Sequence, residues 1–394
     1  MGIVSKVCFF TLFILVEVQA FSAEALPRKR LGKKSFIQKQ ERGEIQNIAT
    51  PQELYDLAQK YSDRKPGSAS YRRAWKHWCV EAISAIRYDL SQNLPYPADK
   101  SKFEHLFYNL GVAADNGVMP SFEDRSARSG YALEFFNRSR DLADLFFDLY
   151  NPMYNFSDTW TEAIVDSPML KYNDRREKSF KVISLGGGPA YDFVAVALAS
   201  AFSANGRTIG HHIEGKIFDY ETGWSDLVEA MGHSSRRALN QPKMNCEWGG
   251  KCDITRSLTD ANNENLNVEI YDCQVIICQY CIAENAQLLR ESNFIFFKEL
   301  FQKAAPNTCF ILSETTPRLW SEFYELIKTN IPEIQVDFYK SGRQMLLVKK
   351  HVDYETSLSK EDGLKLIEFE RIAKDHEKKI KLGWERQSMK VKGV

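Results

Sequence analysis

The apolar positions change their period partway along the chain. Between residues 51 and 174 they recur at helical spacing. Tyr71, Trp75, Trp78, Cys79, Ile83 and Ile86 fall on one face of a predicted helix. Phe103, Leu106, Phe107 and Leu110 mark a second over Ser101–Val112. Tyr131, Leu133, Phe135, Phe136, Leu142, Leu145, Phe146, Phe147 and Leu149 mark the longest, over Ser126–Tyr150. From about residue 175 the pattern shifts to short, continuous apolar runs, which suit strands buried on both faces. Val182, Ile183 and Leu185 begin the series, and Ile217-Phe218, Val275–Cys278 and Phe310–Leu312 continue it. Ile334–Tyr339 and Gln344–Val348, separated by Lys340-Ser341-Gly342-Arg343, end it. After Lys350 no strand pattern remains. Ser359–Trp384 reads as a charged helix with a sparse apolar side of Leu364, Ile367, Ile372 and Ile380.

The most informative stretch joins the first strand to a helix. Lys181-Val182-Ile183-Ser184-Leu185 leads into Gly186-Gly187-Gly188-Pro189-Ala190-Tyr191-Asp192. Glycines without a Cβ let the backbone bend tightly and approach a ligand. Pro189 fits the first turn of a helix, where its missing N–H costs nothing. Phe193, Val194, Ala197, Leu198 and Ala201 then carry helical spacing. Ligands of open α/β sheets bind where such strands end, so this turn is the expected cradle of a nucleotide-like cofactor. The dinucleotide fingerprint is not met. Tyr191 occupies its third glycine slot, and Asp219, the acid after the second strand, comes 31 residues past Gly188, where a dinucleotide site places it about 20 residues on.

The same turn resembles motif I of the class I, seven-stranded S-adenosylmethionine-dependent methyltransferases, and the resemblance continues downstream in order. Phe218-Asp219-Tyr220-Glu221 resembles motif II, and Lys251-Cys252-Asp253-Ile254 resembles the loop after it. Asp272–Tyr280 resembles motif IV, and Thr308–Glu314 resembles strand five. The match spans roughly residues 178–350. It implies an α/β fold: a Rossmann-like seven-stranded sheet, mostly parallel with a closing antiparallel strand, preceded here by an all-helical domain. It implies S-adenosyl-L-methionine as cofactor, bound by Gly186, Gly187, Gly188, Pro189, Asp192, Asp219, Asp253 and Gln279. In the family the acid at Asp219 binds the ribose hydroxyls and the acid at Asp253 receives the adenine amino group. Tyr280, Glu284 and Glu314, at the ends of strands four and five, are the candidate catalytic groups. Tyr131 and Arg128, on the helical layer, are candidates to close over the cofactor; core packing is the other reading of Tyr131 and Tyr280. The family usually carries an acid where this chain has Ser184, and glycine where it has Ala190. Asp192 is open to two readings, a substitute for that acid or a complement to the helix dipole.

Composition narrows the partners without naming one. The formal net charge is zero, but residues 21–50 hold seven Lys/Arg against three Glu, leaving residues 51–394 near −4. That is no footprint of a general nucleic-acid binder. The methyl acceptor is therefore unassigned among RNA, protein and small molecules. Met1–Ala20 has Lys6, an apolar run from Val7 to Val16 and a small-residue site, as in a secretory signal peptide. The run is too short to span a membrane comfortably. The Ala20-Phe21 junction and the basic, acid-poor stretch over 21–50 resemble the bipartite presequence of complex plastids, with ordinary secretion as the alternative. The expected organisation is a signal peptide at 1–20, a transit segment at 21–50, a helical domain at 51–174, a methyltransferase domain at 175–350 and a charged helical tail at 351–394.

Other constellations are weaker. Cys278-Gln279-Tyr280-Cys281 reads as plain core, as half of a zinc pattern with the loosely spaced Cys246 and Cys252, or as a nucleophilic cysteine without the Pro-Cys or Thr-Cys signature of such enzymes. No metal is expected. Asn151-Pro152-Met153-Tyr154 reads as a helix stop, and His211-His212 as loop residues. Two functions compete with the enzyme: a non-catalytic interaction module of the same fold, motivated by Ser184, and a nicotinamide-dependent oxidoreductase, disfavoured by Tyr191.

Overall fold

A computed structural model describes residues 36–41, 48–62, 64–65, 67–106, 122–136, 138–149, 179–204, 212–339, 342–350 and 355–391. The leader and most of the basic segment, the Asn151–Tyr154 turn, His211 and Lys340-Ser341 lie outside the described residues.

Seven strands form one sheet: β1 (Ser179–Leu185), β2 (His212–Asp219), β3 (Met244–Lys251), β4 (Val275–Gln279), β5 (Cys309–Ser313), β6 (Ile334–Tyr339) and β7 (Gln344–Lys349). Their order is β3-β2-β1-β4-β5-β7-β6. The first five are parallel, and β7 runs antiparallel between β5 and β6. The continuous apolar runs follow from this placement. β4 and β5 lie inside the sheet and are buried at every position. Alternate residues then feed opposite cores: Val275 and Ile277 belong to one, Ile276 and Cys278 to the other.

The first core lies under the N-terminal helices. Helix α1 (Phe36–Glu41) is followed by α2 (Pro51–Ser62), α3 (Ala69–Gln92), α4 (Arg125–Glu134) and α5 (Arg138–Leu149). The Ser68 side chain caps α3 by accepting from the Tyr71 N–H at 3.1 Å, and Asp124 caps α4 by accepting from the Ala127 N–H at 3.0 Å. The stripe read from the sequence is the buried face of α3: Trp75, Trp78, Cys79, Ile83 and Ile86 all face inward. Trp75 stacks on Phe147 at 4.7 Å between centroids, and its indole N–H donates to Asp144 at 2.6 Å. These side chains share one core with α6 (Tyr191–Ala204), α7 (Ser225–Ala238) and the sheet. The uninterrupted Ser126–Tyr150 helix is corrected: the chain turns at Phe135-Phe136, and α4 and α5 are separate. Each half keeps its apolar face, so periodicity alone could not show the break.

The second core lies on the opposite face. It holds α10 (Ile295–Lys303) and α11 (Trp320–Asn330), with the short α8 (Glu264–Glu269) and α9 (Ala286–Glu291) between strands. The tail helix α12 (Lys360–Val391) runs past the Trp384 expected as its end and docks Leu366 and Phe369 into this core. Leu364 and Ile367, expected on its apolar side, are 63% and 65% exposed, so the helix is rotated from that reading. No described helix is long and apolar enough to cross a membrane.

Candidate cofactor and active site

The order of strands reverses between β1 and β4, which leaves a crevice at their carboxyl ends. The register brings Leu185 of β1 level with Phe218 of β2 and Cys278 of β4. The residues that follow these positions therefore meet at one rim: the glycine turn, Asp219, and Gln279 with Tyr280.

The turn is built by its backbone. The Gly186 N–H donates to the Phe218 carbonyl at 2.8 Å, and the Ala190 N–H donates to the Gly187 carbonyl at 2.9 Å. Gly186 and Gly188 have φ of +65° and +47°, in the left-handed region. At Gly187 space is the constraint, since a Cβ would stand 2.2 Å from Ser184 Oγ and 2.8 Å from Ile217. At Gly188 the nearest atom to such a Cβ is 3.8 Å away, on Trp224, so that side of the turn has room. Ala190 also adopts a positive φ, +70°, in the left-handed region that favours glycine. Pro189 lies in the turn, with the helix starting at Tyr191 rather than at the proline.

Asp219 ties the turn to the next loop. Its Oδ2 accepts from the Gly188 N–H and its Oδ1 from the Glu221 N–H, both at 2.9 Å. It is half-buried, and that desolvation pushes its pKa up to about 6 against the pull of these N–H groups. Asp253, beyond β3, is fixed by Thr255, whose N–H and hydroxyl donate to Oδ1 at 2.9 and 2.6 Å. Gln279 ends β4, and its side-chain Nε2 is buried without a hydrogen-bond partner. A buried donor left unpaired costs free energy, which a ligand acceptor would recover.

Asp192, in the first turn of α6, is held inside the fold. Its Oδ2 accepts from Ser184 Oγ at 2.5 Å, and both residues are buried. Burial raises its pKa to about 7, opposed by Ser184 and more weakly by Arg138. Asp192 stands eight residues past Ser184, and this hydrogen bond ties the end of β1 to the start of α6 behind the glycines. At 2% exposure it offers no surface to a ligand.

The three candidate catalytic residues divide. Tyr280 and Glu284 stand at the crevice mouth. Tyr280 has a strained φ of +63°, its N–H donates to the Ser313 carbonyl at 2.8 Å, and the Arg138 guanidinium lies 5.4 Å from its ring centre. Glu284 is exposed at the rim, yet the surrounding protein raises its pKa, opposed by Arg138 and reinforced by Asp219. Glu314 is 3% exposed, and its Oε1 accepts from the Ile282 and Ala283 N–H groups at 2.8 and 3.0 Å. That geometry makes it a clamp on the loop after β4. Burial pushes its pKa up to about 7.

The helical layer reaches this mouth through Tyr131 and Arg138. Tyr131 packs on Trp224 at 5.6 Å and on Phe122 at 5.8 Å. Arg128, expected to accompany it, is 4% exposed; it donates to the Phe122 carbonyl and abuts Gly223. Arg138 takes the mouth instead. The sequence signal for it was a spacing of seven from Tyr131, hidden by the turn at Phe135-Phe136. Cys281 was also missed in this role: a Cβ on Gly186 would lie 2.1 Å from its sulfur, so it packs directly on the glycine turn. The zinc grouping does not assemble. Cys246 belongs to one core and Cys252 and Cys278 to the other, and no metal-binding cluster of His, Cys, Asp and Glu occurs among the described residues.

No protein-family model matches the sequence, and no curated protein matches it. Solved structures do resemble it. An O-methyltransferase family protein from Burkholderia thailandensis shares 14% identity, with 86% of this chain and 94% of that one covered, at a TM-score of 0.32. A ribosomal protein L11 methylase from Lactobacillus delbrueckii shares 13%, covering 54% and 79%, at 0.28. A Listeria monocytogenes protein assigned to the class I S-adenosylmethionine-dependent methyltransferases shares 13%, covering 78% and 90%, at 0.28. The sheet itself meets the expectation from the sequence motifs of seven strands, mostly parallel, with an antiparallel closure. The chain is thus an α/β protein with one seven-stranded, mostly parallel sheet closed by antiparallel strands, and S-adenosylmethionine-dependent methyltransferases are among the solved structures that resemble it.

Proposed function

We propose that this protein is an S-adenosylmethionine-dependent methyltransferase. The observation that carries the reading is Asp219: at the end of β2, beside the switch point, one carboxylate accepts from the glycine turn and from the Glu221 loop. Such a fixed acceptor suits a ribose diol. The fit is supported by the room beside Gly188 and by the unpartnered Nε2 of Gln279. The cofactor would supply an electrophilic methyl group for in-line displacement. The chain's own residues then bind and orient. Gly186, Gly187, Gly188 and Pro189 shape the cradle, Asp219 and Asp253 face the nucleoside, and Asp192 stiffens the turn through Ser184. Tyr280 and Glu284 border the place where an acceptor would lie, Glu284 as the candidate proton acceptor. Glu314 holds their loop. Positioning of this kind can lower a barrier by about 7–11 kcal/mol when the reacting atoms are held in near-attack geometry.

The acceptor class stays open among RNA, protein and small molecules, and the plastid address rests on residues 1–50 alone. Calorimetric titration with S-adenosylmethionine tests the reading. We expect micromolar binding by the protein and its loss in Asp219→Ala. A folded protein that binds no cofactor would return the chain to the interaction-module reading.

A further inference from the structure

We infer that Arg138 receives the carboxylate of the cofactor's methionine tail, an inference that rests on the cofactor reading above. Arg138 opens α5, and its Nη1 donates to Tyr131 Oη at 2.6 Å. Its guanidinium carbon lies 4.8 Å from the Phe135 ring centre, 5.4 Å from Tyr280 and 5.5 Å from Tyr131. Those contacts hold a planar cation in place while using little of its five-donor fork. No ion pair joins it to a carboxylate among the described residues. A half-buried guanidinium whose hydrogen-bonding partner is a neutral phenol is a prepared site for a planar anion, which it can bind bidentately.

Its place in the crevice says which anion. Arg138 is within electrostatic reach of Tyr191, just after the glycine turn, and of Tyr280 and Glu284, just after β4. It therefore bridges the two strand ends at the switch point. Along the sheet the order is Asp253 beyond β3, Asp219 at β2, then Arg138 beside Tyr280, which follows β4. An amine acceptor, a diol acceptor and a cation in that order match a base, a ribose and a carboxylate in one ligand. The glycine turn itself offers the tail no exposed charged side chain, because Ser184 and Asp192 are buried against each other. The remaining cations nearby are placed differently: Arg128 is enclosed against Phe122 and Gly223, and Arg343 is exposed beyond Tyr280.

The test is calorimetric titration of the full chain with S-adenosylmethionine and with its decarboxylated analogue. Arg138→Gln should weaken the first by roughly tenfold to a hundredfold, the scale of one charge-assisted contact, and leave the second unchanged. Arg138→Lys should retain a preference for the carboxylated compound, which keeps the question answerable if the glutamine variant does not fold. Equal losses for the two compounds, or no loss for S-adenosylmethionine, would overturn the assignment. Failure of the unmodified protein to bind either compound would overturn the cofactor reading beneath it.

Discussion

Ala190 occupies a backbone position that strains any residue with a Cβ, at φ +70° in the turn after Gly188. Ala190→Gly should relieve that strain and stabilise the fold by about 0.5–1 kcal/mol, read as a higher denaturation midpoint with cofactor affinity unchanged. Gly187→Ala should do the reverse. Its Cβ would enter Ser184 Oγ, so a loss of roughly 1–3 kcal/mol is expected from overpacking. Asp219 makes a pH prediction. Protonating Asp219 would turn one of its accepting oxygens into a donor, and its pKa is raised to about 6. Cofactor affinity should hold above pH 7 and fall as pH drops through 6, and Asp219→Asn should remove that dependence. The stability sign runs the other way. Asp192 and Glu314 have folded pKa values near 7, above the unfolded range, so the native state holds protons that the unfolded chain has released. Their contribution is full below about pH 4 and is lost as pH rises through 7.

Between elements, the loop after β4 shows how an apparent catalytic acid serves as scaffold. Glu314 follows β5, and its carboxylate accepts both N–H groups of Ile282 and Ala283. Glu314→Ala would leave two buried donors unpaired and should cost roughly 2–3 kcal/mol in chemical denaturation. Glu314→Gln keeps an accepting oxygen and should cost less. A catalytic proton acceptor would instead lose activity in the glutamine variant with stability intact, so the pair separates the two roles. The same reasoning applies to α4 and α5. Their break at Phe135-Phe136 turns Arg138 toward Tyr280, and a continuous helix would not place it there by the same route.

For the whole molecule, the N-terminal helices and the sheet share one core rather than two. Trp75 and Phe147 pack with Phe202 of α6, and α6 packs on Val182 and Val275 of the sheet. A buried polar link reinforces this: Asp148 of α5 accepts from Arg72 of α3 and from the Tyr339 hydroxyl at the end of β6. Trp75→Ala should cost about 3–5 kcal/mol. Because the core is common, helical and sheet signals should fall together in one transition when followed by circular dichroism and by tryptophan fluorescence.

The sequence by itself determined six of the seven strands, their chain order and the glycine turn; β3 carries no continuous apolar run and emerged only in the fold. Continuous apolar runs, a glycine triplet and an acid after the second strand are local signals, written within a few residues. It also located Asp219, Asp253, Gln279, Tyr280 and Glu284 near strand ends, because parallel strands put all such ends on one rim. Tertiary structure decided what each group faces. It paired Ser184 with Asp192, turned Glu314 inward as a loop clamp, enclosed Arg128 and brought Arg138 to the mouth. Those outcomes depend on helix rotation and on a break between two equally apolar segments. Periodicity cannot express either, because the same spacing serves a helix that continues and one that turns.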